Sequence, residues 1–526
     1  MYQLKGPRQN NSIYSQLVRK LELSSAMEKV MGRRTILCYA YFLALCAFPI
    51  NLIAFADDDA LASRVCHGLE QQFRDTLYTK NETLYEPLRM KNWVETAWGW
   101  PTCILRPSST RELKIALSSL VNSNQNFAIR SGGHSPHHNF ANIDGGVLID
   151  MSGFNHITYD SDNQVVVVGP GLTWGMTYEY LEKYGVVAVG GRVLDVGVGG
   201  LVLGGGLSWH TDLYGLACDN VVNFQVLLAN GSLVNANARS NSDLFWALKG
   251  GGNNFGIITE LTLMTYPLEQ VWGGIRTYTI DQFPEVVKAY FQYQSTPEKD
   301  PYANLHVLVS PTNSTIGVLV SMVYLKPVKE PPSFAPFYPI DTTSDSTAIK
   351  SFTEYLAEYG IPEVRRFDWF TTTFSVNEDL FTNIGEIILS SDVVEEVKAE
   401  IAGFIGITLQ PISTSAVEAG ELRGGNALGL KAINQTWLAT ALSWWWPWDD
   451  RTVHTDGQAI VGEFVSASEA ADVSLPYLFM NDASWDQKVI ESYGEVNVKK
   501  LKEVQRRYDP DHVFQRLVVG GFKLPA

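Results

Sequence analysis

Arg130-Ser131-Gly132-Gly133-His134-Ser135 follows Phe127-Ala128-Ile129, an apolar triplet that reads as the end of a buried strand. The stretch predicts a strand running into a loop. Its two glycines lack a Cβ, so they permit unusual backbone angles and let amides approach a phosphate closely. His134 comes next, which puts a nucleophilic ring nitrogen beside whatever those amides hold. The competing reading is a glycine-rich turn with an ordinary loop histidine.

More glycine runs follow. They are Val196-Gly197-Val198-Gly199-Gly200 and Gly204-Gly205-Gly206-Leu207-Ser208. Beyond them lie Tyr214-Gly215-Leu216-Ala217-Cys218-Asp219-Asn220 and Asp243-Leu244-Phe245-Trp246-Ala247-Leu248-Lys249-Gly250-Gly251-Gly252-Asn253-Asn254-Phe255-Gly256-Ile257. In this order the set resembles the berberine-bridge-enzyme-like flavoproteins of the vanillyl-alcohol-oxidase superfamily, and among them the fungal members, many of which act in secondary metabolism. Tyr493-Gly494 and Tyr508-Asp509-Pro510-Asp511-His512-Val513-Phe514 extend the resemblance to the C-terminus. It implies an α+β fold: a two-subdomain PCMH-type FAD-binding domain, plus an α+β substrate domain with an antiparallel sheet.

The resemblance makes FAD the expected cofactor, joined covalently to His134 through the flavin C8 methyl. Arg130, Ser131, Gly132, Gly133, Ser135, Val196, Gly197, Gly199, Gly200, Gly205, Gly256 and Ile257 are the other expected cofactor contacts. A pyrophosphate is doubly negative and takes backbone N–H donors at close range. Many relatives carry a second tether, a cysteine, just before the V-G-V-G-G run. Val193 stands there in this chain, so one covalent bond is expected. A nicotinamide-binding Rossmann turn needs G-x-G-x-x-G opening a helix. Gly197-Val198-Gly199-Gly200 imitates it, but the glycines continue to Gly206 and no clean helix is expected to follow.

With 526 residues, two domains are expected. Hydrophobic residues at 45% and charged residues at 18% describe a globular chain. A formal charge of -16 argues against nucleic acid as a partner. The expected parts are 1–56 (extension and signal peptide or anchor), 57–96 (an N-terminal segment), 97–268 (the FAD-binding domain), 269–475 (the substrate domain) and 476–526, which returns to the FAD domain. A monomer is expected.

Within these parts, strands are expected at 101–107, 126–130, 146–150, 164–168, 222–229 and 256–266. Helices are expected at 70–77, 109–122, 174–184 and 284–294.

Arg33-Arg34 precede the apolar run 35–56, which begins at Thr35 and ends Ala54-Phe55-Ala56 before Asp57-Asp58-Asp59. Basic flank, apolar stretch and A-x-A end are the parts of a secretory signal peptide, which predicts secretion and cleavage after Ala56. The run is also long enough to anchor the chain in a membrane; Pro49 and Asn51 weigh against that. Starting at Met31 would give an ordinary signal peptide. Cys66 and Cys103, flanking the start of the flavin domain, are expected to form a disulfide. Cys218 remains as a buried thiol. Asn81, Asn230, Asn313 and Asn434 head glycosylation sequons.

Oxidation of an alcohol or amine needs a base to take a proton while the flavin takes hydride. Relatives place a tyrosine in an Asn-Tyr pair before the last helix; this chain reads Met480-Asn481-Asp482-Ala483. Asp482 is the candidate base, with Tyr477 and Tyr493 behind it; a carboxylate bonded only to its own loop is the alternative. The nine histidines show no metal-ligand spacing, and no metal is expected. Trp444-Trp445-Trp446-Pro447-Trp448 can line a pocket, join the core or face a membrane.

The expected activity is oxidation of a small organic molecule, with molecular oxygen as the reoxidant. The alternatives are a carbohydrate oxidase, an oxidative cyclase or pericyclase, and a non-catalytic flavin-binding protein.

Overall fold

A computed structural model describes residues 50–268, 270–312, 317–358, 364–400 and 403–526. Arg33, Arg34, residues 35–49 and Asn313 lie outside the described residues, as do Cys38 and Cys46. By chain contacts, 1–60 is one unit and 61–526 a second. No helix among the described residues is long and apolar enough to cross a membrane.

The described residues of the larger unit are built on three sheets. In the first, Cys103–Leu105 and Phe127–Arg130 both pair in parallel with Val147–Asp150. The helix Thr110–Asn122 makes the crossover between them. Ser109 caps it, accepting from the Glu112 amide, and Leu113, Ala116, Leu117 and Leu120 are buried at the expected 3.6-residue spacing. All four residues of Val147–Asp150 are buried, which is why this strand has no polar alternation. The Cys66–Cys103 disulfide lies within the second unit and ends on this sheet, with Cα atoms 6.0 Å apart.

The helix expected over 70–77 is corrected. The helix Ile50–Glu70 goes no further, and Leu77–Thr79 is an edge strand antiparallel to Cys103–Leu105. Leu69, Phe73 and Leu77 share helical spacing, but tertiary pairing of Leu77 with Leu105 overrides it.

The second sheet is antiparallel, in the order Ile157–Asp160, Val165–Val168, Ile257–Pro267, Val221–Leu227, Leu233–Asn237, with Val186–Ala188 pairing the far end of Ile257–Pro267.

Among the described residues, the third sheet has nine strands between Val271 and Leu475. Its strands alternate strictly between two faces. Val307 and Val309, Ile405, Ile407 and Leu409, and Leu438 and Leu442 join the core made with Phe283–Ser295, Glu378–Ser390 and Asp450–Ala470. Leu308, Phe404, Thr408, Gln410, Ala439 and Ala441 turn the other way and line a cavity.

After the helix Glu495–Tyr508 the chain comes back to the first sheet. The Phe127 amide donates to the Leu517 carbonyl at 2.9 Å, and Phe127 bridges Val518 in parallel.

Asn81 and Asn230 are exposed. Asn434 is half-buried; its amide nitrogen donates to the Gln294 carbonyl at 3.1 Å and its oxygen accepts from the Thr414 amide at 3.0 Å.

Candidate active site

The cavity has a volume of about 620 Å³. One wall is the loop after Phe127–Arg130: Ser131, Gly132, Gly133, His134 and Ser135 all line it. Val193, Val196, Gly197, Gly199 and Gly200 form the next wall, and Gly256 and Ile257 the floor beside it. Gly132 and Gly197 are glycine because the chain crosses itself there. A Cβ on Gly132 would lie 2.5 Å from the Gly197 nitrogen, and one on Gly197 would lie 2.4 Å from the Gly132 nitrogen. A Cβ on Gly200 would meet nothing, because that residue faces open space. Among the described residues, no protein group accepts from the amides of Gly132, Gly133 or Ser135. Such a wall fits a cofactor with a pyrophosphate.

The His134 ring stacks on Trp93, with centroids 4.4 Å apart and planes 11° from parallel. Burial holds the imidazole down at about 4, against the pull of Asp195. The ring is therefore neutral at neutral pH and keeps a nucleophilic lone pair. Val193 presents only methyl groups to the cavity.

Two expected cofactor contacts are corrected. Arg130 does not line the cavity; its guanidinium is buried beneath the loop, donating to Asp150 at 2.9 Å and to Asn92 at 2.9 Å. It supports the loop from behind. Gly205 is also off the wall: it adopts φ +108°, and a Cβ there would press on Leu428 at 3.2 Å. The glycine run, expected to lead into no clean helix, does open one, Val198–Leu203 with Gly197 as N-cap.

Asp482 lines the cavity, at the end of the turn Met480–Asp482. Gln410 Nε2 donates to its Oδ2 at 2.9 Å, and Arg192 Nη2 donates to Gln410 Oε1. Burial pushes the Asp482 carboxyl above the usual carboxylate range; Arg192 and the Gln410 hydrogen bond pull the other way. Its neighbour Asn481 accepts from the Gly206 amide at 3.1 Å, which ties this turn to the glycine run.

Tyr477 and Tyr493 do not line the cavity. They stack on each other in the core, and the Tyr493 hydroxyl donates to the Gly250 carbonyl at 3.0 Å. Burial raises both phenols, which removes them as bases. The pocket reading of the tryptophan cluster is likewise corrected. Trp444 is buried and donates to Asp450, while Trp445, Trp446 and Trp448 are 51%, 46% and 71% exposed, away from the cavity.

Sequence reasoning gave no role to Arg192, Gln410, His137, Phe367 or Trp369, all of which line the cavity. The alternation of 404, 408 and 410 along one strand was the available signal for Gln410. No group of three His, Cys, Asp or Glu among the described residues is placed to hold a metal ion.

Residues 101–237 match the FAD binding domain family. Over 464 residues the chain is 35% identical to an FAD-dependent monooxygenase of Arthrobotrys oligospora, covering 87% of this chain and 89% of that one. It is 33% identical over 455 residues to the bifunctional solanapyrone synthase of Alternaria solani, covering 85% and 86%. This chain belongs to the berberine-bridge-enzyme-like flavoproteins.

The flavoprotein is thus an FAD-linked oxidoreductase. Its fold is similar to that of 6-hydroxy-D-nicotine oxidase from Arthrobacter nicotinovorans, with a TM-score of 0.71 at 20% identity, covering 85% of this chain and 97% of that one. A carbohydrate oxidase from Microdochium nivale has a TM-score of 0.71 at 19% identity, covering 86% and 98%. At such identities the likeness is one of fold alone.

Proposed function

We propose that this flavoprotein oxidises a largely apolar hydroxylated molecule, a fungal secondary metabolite, with Asp482 as the general base and molecular oxygen as the final electron acceptor. The observation that carries this is Asp482 itself: a half-buried carboxylate on the cavity wall, oriented by Gln410 and raised above the usual carboxylate range by desolvation. Such a group accepts the substrate hydroxyl proton as the adjacent carbon–hydrogen bond gives up its electron pair. FAD supplies the hydride acceptor. Gly132, Gly133, Gly199 and Gly200 would hold it with backbone amides, and His134 would supply the one tether that Val193 leaves available.

The apolar character of the substrate rests on Ile275, Leu308, Leu319, Phe367, Trp369, Phe404 and Ala439, which supply most of the substrate-side wall. A sugar would need many more polar partners, so the carbohydrate-oxidase reading is the weaker one. Secretion through residues 35–56, with glycans at Asn81 and Asn230, belongs to the same proposal.

The test is anaerobic mixing of the purified holoprotein with a panel of apolar primary and secondary alcohols and a panel of oligosaccharides. Bleaching of the flavin band by the alcohols is expected. Bleaching by the sugars alone would overturn the assignment.

A further inference from the structure

The five residues after Asp482 are held by side chains from three other parts of the fold. Asp368, on the strand Arg366–Ser375, accepts from the Ser484 hydroxyl at 3.1 Å. The His137 Nε2–H donates to the Ala483 carbonyl at 2.8 Å. Gln487 spans the Thr371 backbone, accepting from its amide at 2.9 Å and donating to its carbonyl at 2.8 Å. Asp486 faces His454 on the helix Asp450–Ala470.

His454 is the centre of this arrangement. Its Nδ1 lies 2.7 Å from Asp368 Oδ2 and its Nε2 lies 3.0 Å from Asp486 Oδ2. A neutral imidazole carries one N–H, so it can donate to only one of two carboxylates. Only the imidazolium satisfies both. Trp485 stacks on the ring, with centroids 5.0 Å apart and planes 22° from parallel.

We propose that Asp368 and His454 are positioning residues that, with Asp486, clamp the segment carrying Asp482 against the nine-stranded sheet, and that the clamp is closed when His454 is protonated. The proposal rests on the reading of Asp482 as base only for its catalytic consequence.

The charged and titratable groups facing His454 are Asp368, Asp486 and, across Asp368, His137, whose Nδ1 is 3.6 Å from Asp368 Oδ1. The hydrogen bond with Asp368 raises the His454 imidazole above its ordinary value; burial opposes this, and Asp486 adds to the rise. The sign follows. A raised folded value means the clamp is complete below the ordinary value of about 6.5 and is lost as pH rises through the raised one.

The test uses the holoprotein without substrate. Hydrogen exchange of amides 483–487, corrected for intrinsic rates, is followed against pH beside Trp485 fluorescence, which a stacked imidazolium quenches. In the wild type, protection is expected to fall about tenfold or more in one step as pH rises, as loss of a hydrogen bond to a charged group implies. The fluorescence should rise over the same step, and Trp485→Phe should remove that signal.

His454→Gln should show low protection at every pH, with no step. If it shows the wild-type protection and step, the clamp is overturned. Should His454→Gln fail to fold, Asp486→Asn serves: its step is expected at lower pH, because one of the two carboxylates holding the proton is gone, and an unmoved step overturns the proposal. If Asp482→Asn leaves flavin reduction intact while the exchange step persists, the base assignment fails and the clamp stands.

Discussion

Asp482 carries the chemistry assigned to this site, so its replacement is the sharpest residue-scale experiment. Asp482→Asn is nearly isosteric and keeps an oxygen for Gln410, yet cannot take a proton. Flavin reduction by the substrate, followed by stopped flow, is expected to slow by about a hundredfold or more, with flavin content unchanged. His134→Ala is expected to release flavin into the supernatant on acid denaturation, whereas the wild type keeps it bound to the precipitate. Cys218→Ala should retain the bound flavin, because Cys218 is fully buried and off the cavity wall. Both experiments address residues that the sequence alone brought forward. The demands on His134 and its glycines are local, since backbone conformation is written into neighbouring positions. Arg192 and Gln410 were not legible that way: they are 218 positions apart, and only the sheet brings them to one carboxylate. The same holds for His454, which meets Asp368 across 86 positions and Asp486 across 32.

At the scale of elements, the contact between the loop 131–135 and the entry to the helix Val198–Leu203 decides whether a cofactor can be held. The two segments touch backbone to backbone at Gly132 and Gly197. Gly197→Ala puts a methyl group 2.4 Å from the Gly132 nitrogen, closer than any real Cβ contact, so one segment must move. Loss of bound flavin, read as the ratio of flavin to protein absorbance, is the expected outcome. Gly462→Ala, off the cavity wall on the helix Asp450–Ala470, meets no atom within 4 Å and is expected to keep its flavin, which makes it the control. Most strands and helices were readable from periodicity and caps, as Ser109 and the buried face of Thr110–Asn122 show. The failure at 70–77 has a physical cause: an apolar residue every fourth position suits a helix, but Leu77 has a strand partner in Leu105. The two-faced strands of the large sheet explain why its pocket side was faint. Thr408 and Gln410 apart, the residues named on the cavity side are Leu, Phe and Ala, apolar like those facing the core.

For the whole molecule, acid is the expected weakness. His210 is fully buried against Phe352, and burial lowers its imidazole to about 3. In the unfolded chain it returns to about 6.5. The unfolded state therefore binds the proton first as pH falls below 6.5, and stability is lost progressively from there toward 3. The urea midpoint is expected to drop between pH 7 and pH 4.5, and His210→Leu should shallow that drop. The Cys66–Cys103 bridge works in the other direction; its removal is expected to cost about 2–4 kcal/mol. The return of the chain end to the first sheet has a consequence for biosynthesis. Phe127 pairs with Leu517 and Val518, and Gly521 and Phe522 line the same cavity as His134. Translation reaches His134 long before it reaches Val518, so the wall beside His134 stays open until that later stretch has been made. A chain cut short before Val518 is expected to lack bound flavin, read as the ratio of flavin to protein absorbance.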